Sequence, residues 1–283
     1  MPQINWYPGH MAKSRRLLQD QLRAVDAVIE LCDARAPLAT RNPDLGKLTQ
    51  GKARILLLNK ADLADDNETA RWLEYFRKQG ITAMRFNSSG GKTRDILAGI
   101  ERATRPAVER AQARGVKKTV RLMVVGIPNV GKSTFINRLH GSAVAKASDR
   151  PGVTRSNQWV KVGPYLELLD TPGMLPPRMD DQDEARLLAY LGSIRDQIMD
   201  TEALAGQLLL HLLSLRPDAV RARFKLDDSV VIDDPQTAVE AACRGRGWLI
   251  SGGRPDTDRA AALILDEFRA GRTGKITIEP QKG

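Results

Sequence analysis

Gly126-Ile127-Pro128-Asn129-Val130-Gly131-Lys132-Ser133 decides how this 283-residue chain is read. It follows the apolar run Leu122–Val125 and precedes the helical pattern Thr134–Leu139, the strand–loop–helix setting that a phosphate-binding loop requires. Glycines let the backbone curl so that its N–H groups point inward around phosphates. Lys132 is then placed to reach the β- and γ-phosphates, and Ser133 to put its hydroxyl on Mg²⁺. Asn129, Val130, Gly131 and Thr134 complete the cradle. At ordinary residue frequencies a chance match is on the order of one in a hundred. A plain glycine-rich turn is the alternative.

Working outward, strand and helix patterns alternate on both sides of this loop. Val25–Cys32, Arg54–Asn59, Ile81–Phe86 and Thr119–Val125 read as strands, and so do Trp159–Val162 and Tyr165–Leu169. Between them lie helical patterns at residues 11–24 (basic and amphipathic), at Glu68–Gln79, from about Thr93 and from Lys132. Short Val, Ile and Leu runs separated by helices predict an α/β domain: a mostly parallel sheet with helices on both faces. After Pro176-Pro177 the strand signals nearly stop and helical periodicity continues to about Arg269. The expected division is a basic segment and helix over residues 1–24, the α/β domain over 25–175, and a small all-helical C-terminal domain over 176–283. No repeat of 20–50 residues is present.

A phosphate loop does not choose its base. Asn59-Lys60-Ala61-Asp62 does, at the end of the apolar strand Ile55–Leu58, where a sheet of this class offers its ligand face. The Asp62 carboxylate can accept from guanine N1–H and N2–H₂ together. Adenine has no donors there and would leave a desolvated charge unpaired. Asn59 is placed for the other edge of the base, and the Lys60 stem for the ring face. Asn-Lys-x-Asp also suits an ordinary turn, but beside the phosphate loop it favours GTP over ATP. Asn87-Ser88-Ser89, after its own strand, suits a backbone contact to guanine.

Asp170-Thr171-Pro172-Gly173 closes the strand Tyr165–Leu169. Asp170 is placed to hold a Mg²⁺-bound water, and the Gly173 N–H to sense the γ-phosphate. A Pro-Gly turn is the alternative. Between the two motifs, Thr154 in Pro151-Gly152-Val153-Thr154-Arg155 is the candidate switch threonine and a second side-chain ligand to Mg²⁺. The residue after Gly173 is Met174, where familiar small GTPases carry a water-orienting Gln. Intrinsic hydrolysis is therefore expected to be slow, or the missing group comes from elsewhere.

The order of the motifs is unusual. In familiar small GTPases the phosphate loop comes first. Here Asn59–Asp62 precedes Gly126–Ser133, so the domain reads as circularly permuted. Neighbouring termini make such rewiring tolerable. The segment after Gly173 then runs directly into the helical part, and nucleotide state should bias that part's placement.

With these motifs in hand, the chain resembles the circularly permuted ribosome-assembly GTPases, and among them the ribosome biogenesis GTPase A (YlqF) group. The matching residues are Trp6-Tyr7-Pro8-Gly9-His10-Met11-Ala12-Lys13, Asp33-Ala34-Arg35-Ala36-Pro37-Leu38 and the nucleotide motifs above. Arg246-Gly247, Ser251-Gly252-Gly253 and Asp258-Arg259-Ala260-Ala261 match in the tail, so the resemblance spans nearly the whole chain. It implies a GTPase that binds the large ribosomal subunit late in assembly and contacts its rRNA. It also implies a catalytic role for His10, whose imidazole titrates near neutrality and can orient or deprotonate water. Packing, helix capping and RNA contact are the alternatives for His10. Asn129 implies a K⁺ ion that offsets developing phosphate charge.

Charge and composition agree with an anionic partner. The chain carries 44 Lys plus Arg against 34 Asp plus Glu, for a net charge of +10. Residues 1–175 hold 29 basic and 16 acidic side chains, whereas residues 176–283 hold 15 and 18. A basic half of this size suits RNA, with a solubility bias as the equal alternative. The candidate patches are Lys13, Arg15, Arg16 and Arg23; Arg150 and Arg155; and Glu101–Arg121, with seven basic and two acidic residues. In the acidic C-terminal part only Arg244, Arg246 and Arg254 form a local patch, with Trp248 nearby for stacking. Two cysteines, Cys32 and Cys243, exclude a disulfide framework and fit a cytoplasmic protein. No apolar run approaches the ~18 residues of a membrane span, and no secretory signal is expected at Met1–Trp6. A monomer without a DNA partner is expected.

Overall fold

The computed structural model describes residues 19–43, 45–49, 51–90, 93–141, 158–162, 164–173, 181–194, 196 and 200–282. Every side chain of Ala27–Asp33 is buried, as a strand covered on both faces must be, and this run forms β1. Around it lie β2 (Ala53–Asn59), β3 (Ala83–Arg85), β4 (Val120–Val125), β5 (Gln158–Lys161) and β6 (Leu166–Asp170), in the spatial order β3-β2-β1-β4-β6-β5. All neighbours are parallel except β5, which runs antiparallel to β6 at one edge. The register brings the motifs together. Asp33 lies opposite Asn59, Glu30 opposite Val125, and Val124 opposite Asp170.

Alternate residues of each strand face opposite sides. Ile29, Leu31, Ile55, Leu57 and Leu122 pack against α2 (Arg94–Gln112) and α3 (Lys132–His140) through Ile96, Ile100, Phe135 and Ile136. On the other face, Leu56 and Leu58 meet Trp72 and Phe76 of α1 (Asp66–Lys78). Val28, Met123 and Leu169 meet Leu22, within the helical residues 19–23, and Val25 just after them. Helices therefore cover both faces, as the alternating pattern predicts. Glu30 is a buried charge in the middle of β1. It survives there because Arg41 and Arg54 reach it at 3.1 and 2.8 Å.

After β6 the helices are α4 (Gln182–Tyr190), α5 (Thr201–Leu215), α6 (Pro217–Phe224), α7 (Pro235–Arg246) and α8 (Thr257–Arg269). Four of them start where an aspartate can cap. Asp181, Asp200, Asp234 and Asp256 each accept a backbone N–H of the first turn. Leu204, Leu208 and Leu212 of α5 pack on the small residues Ala238, Ala242, Ala260 and Ala261 of α7 and α8. A two-stranded hairpin, β7 (Leu249–Ile250) with β8 (Arg254–Pro255), adds to the helical pattern. Its strands are too short for alternation to reveal. Leu188 and Ile194 join the core of the sheet, while Tyr190 and Leu191 join that of the helices, so α4 is shared between the two.

Residues beyond α8 return to the sheet. The Ile276 N–H donates to the Leu63 carbonyl at 3.1 Å, and the Ile278 N–H to Arg35 at 2.8 Å. The Glu279 carboxylate accepts from the N–H groups of Leu38 and Ala39 at 2.7 and 3.1 Å, and the Trp72 indole donates to the Glu279 carbonyl at 2.8 Å. No helix among the described residues is long and apolar enough to cross a membrane.

Candidate nucleotide-binding site

The loop between β4 and α3 has the geometry its sequence requires. Gly131 has φ 95°, and a Cβ there would lie 2.5 Å from the Asn59 amide nitrogen, so both backbone and space demand glycine. Asn129 also takes a left-handed φ of 63°, uncommon for a side-chain-bearing residue. The loop leads into the N-terminus of α3, where backbone N–H groups and the helix dipole favour an anion. Val130 is buried beneath it, and Thr134 lies in the first turn of α3.

Lys132 is 7% exposed. Its Nζ donates to the carbonyls of Gly126 and Ile127 at 3.1 and 3.0 Å, adjacent residues at the start of the loop. Burial lowers its pKa to about 8 against the pull of Asp170. The Ser133 hydroxyl donates to Asp170 Oδ2 at 3.1 Å. Burial raises the Asp170 carboxyl, with Ser133 and Lys132 acting the other way. Asp170 Oδ1 is buried and accepts no hydrogen bond from the described residues. An orphaned carboxylate oxygen beside a serine hydroxyl is an all-oxygen donor pair that suits Mg²⁺, an ion that takes one or two protein ligands and fills its shell with water and phosphate. Gly173 lies against the loop: a Cβ would meet Pro128 N and Cα at 2.8 Å.

The segment Asn59–Asp62 is braced from beneath. Asn59 Nδ2 donates to the Val130 carbonyl at 2.7 Å, while its Oδ1 accepts from Ser88 N and Oγ at 2.9 and 2.8 Å. Much of the Asn59 amide is thus spent joining the base loop to the phosphate loop and to Asn87–Ser89. The Asn87 Oδ1 accepts from Ser89 N at 2.8 Å and shapes that turn. Lys60, at φ 57°, donates to the Asn129 carbonyl at 2.7 Å and pairs with Asp33 at 3.1 Å. Asp62 is exposed and pairs with none of the described residues, leaving its carboxylate for an outside donor. His10, Thr154 and Met174 lie outside the described residues, as do Lys13, Arg15, Arg16, Arg150 and Arg155.

Sequence reasoning missed several supports. Asp33 is buried, and burial alone would raise its carboxyl. The Arg35 guanidinium and the Lys60 ammonium outweigh burial and hold it well below the usual carboxylate range. A charged Asp-Ala-Arg closing a buried apolar strand at the ligand end of the sheet was the available signal. Ser193 Oγ donates to the Pro128 carbonyl at 3.0 Å and Asn129 Nδ2 to Gly192 at 2.7 Å. Nothing local marks either contact. One expectation is corrected: Trp248 is not available for stacking on RNA. It is buried against Phe224, with the Arg246 guanidinium over its ring at 5.1 Å and Arg246 itself tied to Glu267.

The fold and the site together define a P-loop GTPase whose base-reading motif precedes its phosphate loop. A model of the family described as "50S ribosome-binding GTPase" matches residues 121–231. Over 98% of its length the chain is 42% identical to Ribosome biogenesis GTPase A of Priestia megaterium, covering 96% of that protein. It is 41% identical to the protein of that name from Bacillus cereus, with 98% and 93% covered. The GDP-bound structure of TM YlqF matches with a TM-score of 0.69 at 28% identity, over 95% of this chain and 100% of that one. The crystal structure of GNP-bound YlqF from T. maritima matches at 0.64 and 29%, with 95% and 98% covered. The chain belongs to the ribosome biogenesis GTPase A family and hydrolyses GTP.

Proposed function

We propose that this GTPase binds the large ribosomal subunit late in its assembly and uses GTP hydrolysis as a checkpoint or release switch. The observation that carries the RNA part is a basic face on and beyond α2. Arg102, Arg105, Arg110, Arg114 and Lys117 are exposed and pair with none of the described residues. By contrast Lys118 and Arg121 are held by Asp26 and Glu167. Five cations without partners among the described residues, on and beyond the helix that runs from the base-loop end of the sheet toward its opposite end, suit phosphate contacts of rRNA, with salt-sensitive affinity and little base specificity. The chain is read as three parts, over 1–24, 25–175 and 176–283, acting as a monomer in the cytoplasm.

In this reading Asp62 reads the guanine edge and Lys60 covers the ring. Asn59 and Ser88 hold the loop beneath the base. The backbone of Asn129–Thr134 and the Lys132 ammonium bind the phosphates. Ser133 and Asp170, with Thr154, would hold Mg²⁺, which when bound neutralises phosphate charge. Gly173 senses the γ-phosphate. His10 orients the attacking water that Met174 cannot, and Asn129 helps hold a K⁺ ion. Hydrolysis is slow alone and stimulated by the subunit.

The test is the GTP hydrolysis rate with and without purified large subunits, in K⁺ and in Na⁺ buffer, for wild type and His10→Ala. Stimulation that vanishes in the variant supports the reading in full. Stimulation that survives moves the catalytic role from His10 to K⁺ or to the ribosome. No stimulation under any condition overturns the checkpoint and leaves a nucleotide-gated rRNA-binding scaffold.

A further inference from the structure

Two polar arms leave the C-terminal end of α8 and meet on one residue of the phosphate loop. The first runs through Arg35, whose Nη1 donates to the Phe268 and Arg269 carbonyls at 3.1 and 3.4 Å. A cation at the end of a helix is favoured by the unsatisfied carbonyls there. The other edge of the guanidinium forks onto Asp33 at 3.0 and 2.9 Å. Asp33 pairs with Lys60, and Lys60 donates to the Asn129 carbonyl.

The second arm runs through Arg269. Its Nε and Nη2 donate to the Tyr190 and Ala189 carbonyls at 3.0 and 2.8 Å, closing the end of α4, while Asp196 holds the same guanidinium at 2.6 and 2.8 Å. The next turn contains Gly192 at φ 71°, where a Cβ would stand 3.1 Å from Arg269 Nε. The Gly192 carbonyl accepts the Asn129 side chain, and Ser193 holds Pro128. Asn129 is thus gripped by its carbonyl from one arm and by its amide from the other, in a left-handed conformation that costs energy unless its surroundings fix it.

We propose that Arg269, in the last turn of the helical part, is a positioning residue for the phosphate loop, and that with Arg35 it couples the placement of α8 to nucleotide affinity. It acts by fixing the turn at Gly192–Ser193 that holds Pro128 and Asn129. A planar guanidinium can bond two adjacent carbonyls and a carboxylate at once, which an ammonium cannot reproduce. Coupling is reciprocal, so nucleotide must in turn order α8. The inference rests on reading Gly126–Ser133 as the phosphate site, and the test separates the two.

GDP dissociation constants and melting temperatures are measured for wild type, Arg269→Ala, Arg223→Ala and Lys132→Ala. Arg223 bonds Glu267 on the same helix at 2.8 and 2.9 Å without reaching either loop. Arg269→Ala is expected to weaken GDP about tenfold. Arg223→Ala is expected to lower the melting temperature comparably while GDP affinity stays within about twofold. In wild type, GDP is expected to slow amide exchange across α8, and in Arg269→Ala that protection is expected to be lost. GDP affinity unchanged in Arg269→Ala, or weakened equally in Arg223→Ala, overturns the proposal. Binding unaffected by Lys132→Ala instead overturns the phosphate-site reading beneath it. Should Arg269→Ala not fold, Arg269→Lys decides: a loss of about threefold is expected from keeping the charge without the fork, and unchanged affinity overturns the proposal.

Discussion

The two ends of the nucleotide site are prepared in opposite ways. On the phosphate side the charges are buried and left incomplete. Lys132 is desolvated toward neutrality, and Asp170 keeps one oxygen without a partner among the described residues. On the base side the polar groups are satisfied among themselves. Asn59 joins Val130 to Ser88, Asn87 closes its own turn, and the Asp62 carboxylate is left exposed. Phosphate recognition is therefore held as electrostatic demand that a ligand meets. Base recognition, in the proposed reading, is held as a rigid frame that presents the Asp62 carboxylate. The first should supply affinity and the second selectivity.

Lys132→Ala gives the largest expected effect. Removing the buried ammonium should weaken GDP by on the order of 100-fold, read by titration calorimetry, because a charge-assisted contact at a desolvated site is lost. A loss no greater than that at the base side would erase the asymmetry. Asp62→Asn follows. It should weaken GDP by roughly 30-fold and strengthen the xanthine nucleotide, since an amide can donate to the xanthine 2-oxo group where a carboxylate cannot. A variant that loses both nucleotides equally would mean that Asp62 supports the loop rather than reads the base.

The third prediction concerns pH. In the proposed reading phosphate binding uses the charged form of Lys132, whose pKa burial lowers to about 8. GDP affinity should fall as pH rises through that value, by roughly tenfold between about pH 7 and about pH 9. Stability of the nucleotide-free protein should move the other way. Between about 8 and the ordinary value of 10.5, the unfolded chain binds more protons at this lysine than the folded one, so its contribution to stability rises with pH. Opposite pH slopes in calorimetry and in melting sharpen the comparison, and parallel slopes break it. Smallest is Ser88→Ala. It removes one of two donors to Asn59 Oδ1 and leaves the backbone one, worth about 1 kcal/mol, so GDP should weaken about fivefold with the guanine–xanthine preference reduced.

What was legible in the sequence follows the same division. The strands were visible because a doubly covered sheet needs unbroken apolar runs such as Ile55–Leu58. Gly126–Ser133 and Asn59–Asp62 were visible because their chemistry is local. The bracing was not. Arg35 and Arg269 are far apart in the chain, and neither run predicts that one guanidinium will cap the end of the helix carrying the other. The return of Ile276–Glu279 to the sheet is likewise invisible, since its bonds to Leu63 and Arg35 use backbone groups that any sequence carries. Trp248 was misread for the converse reason: tryptophan suits stacking and core packing alike, and only Phe224 and Arg246 at its faces decide.

The strand order carries a consequence for how the chain comes together. β1, β2 and β3 are adjacent both in sequence and in the sheet, so they can pair as soon as they are made. The other side of β1 has to wait for β4, which begins only at Val120. During synthesis an apolar central strand thus stands with one open edge, a state prone to wrong pairing. The guanine-reading loop exists in that interval without a phosphate loop to complete it. GTP cannot help the nascent chain until β4 has docked, so the permuted order makes early folding depend on the sheet alone and turns the nucleotide into a late-acting stabiliser.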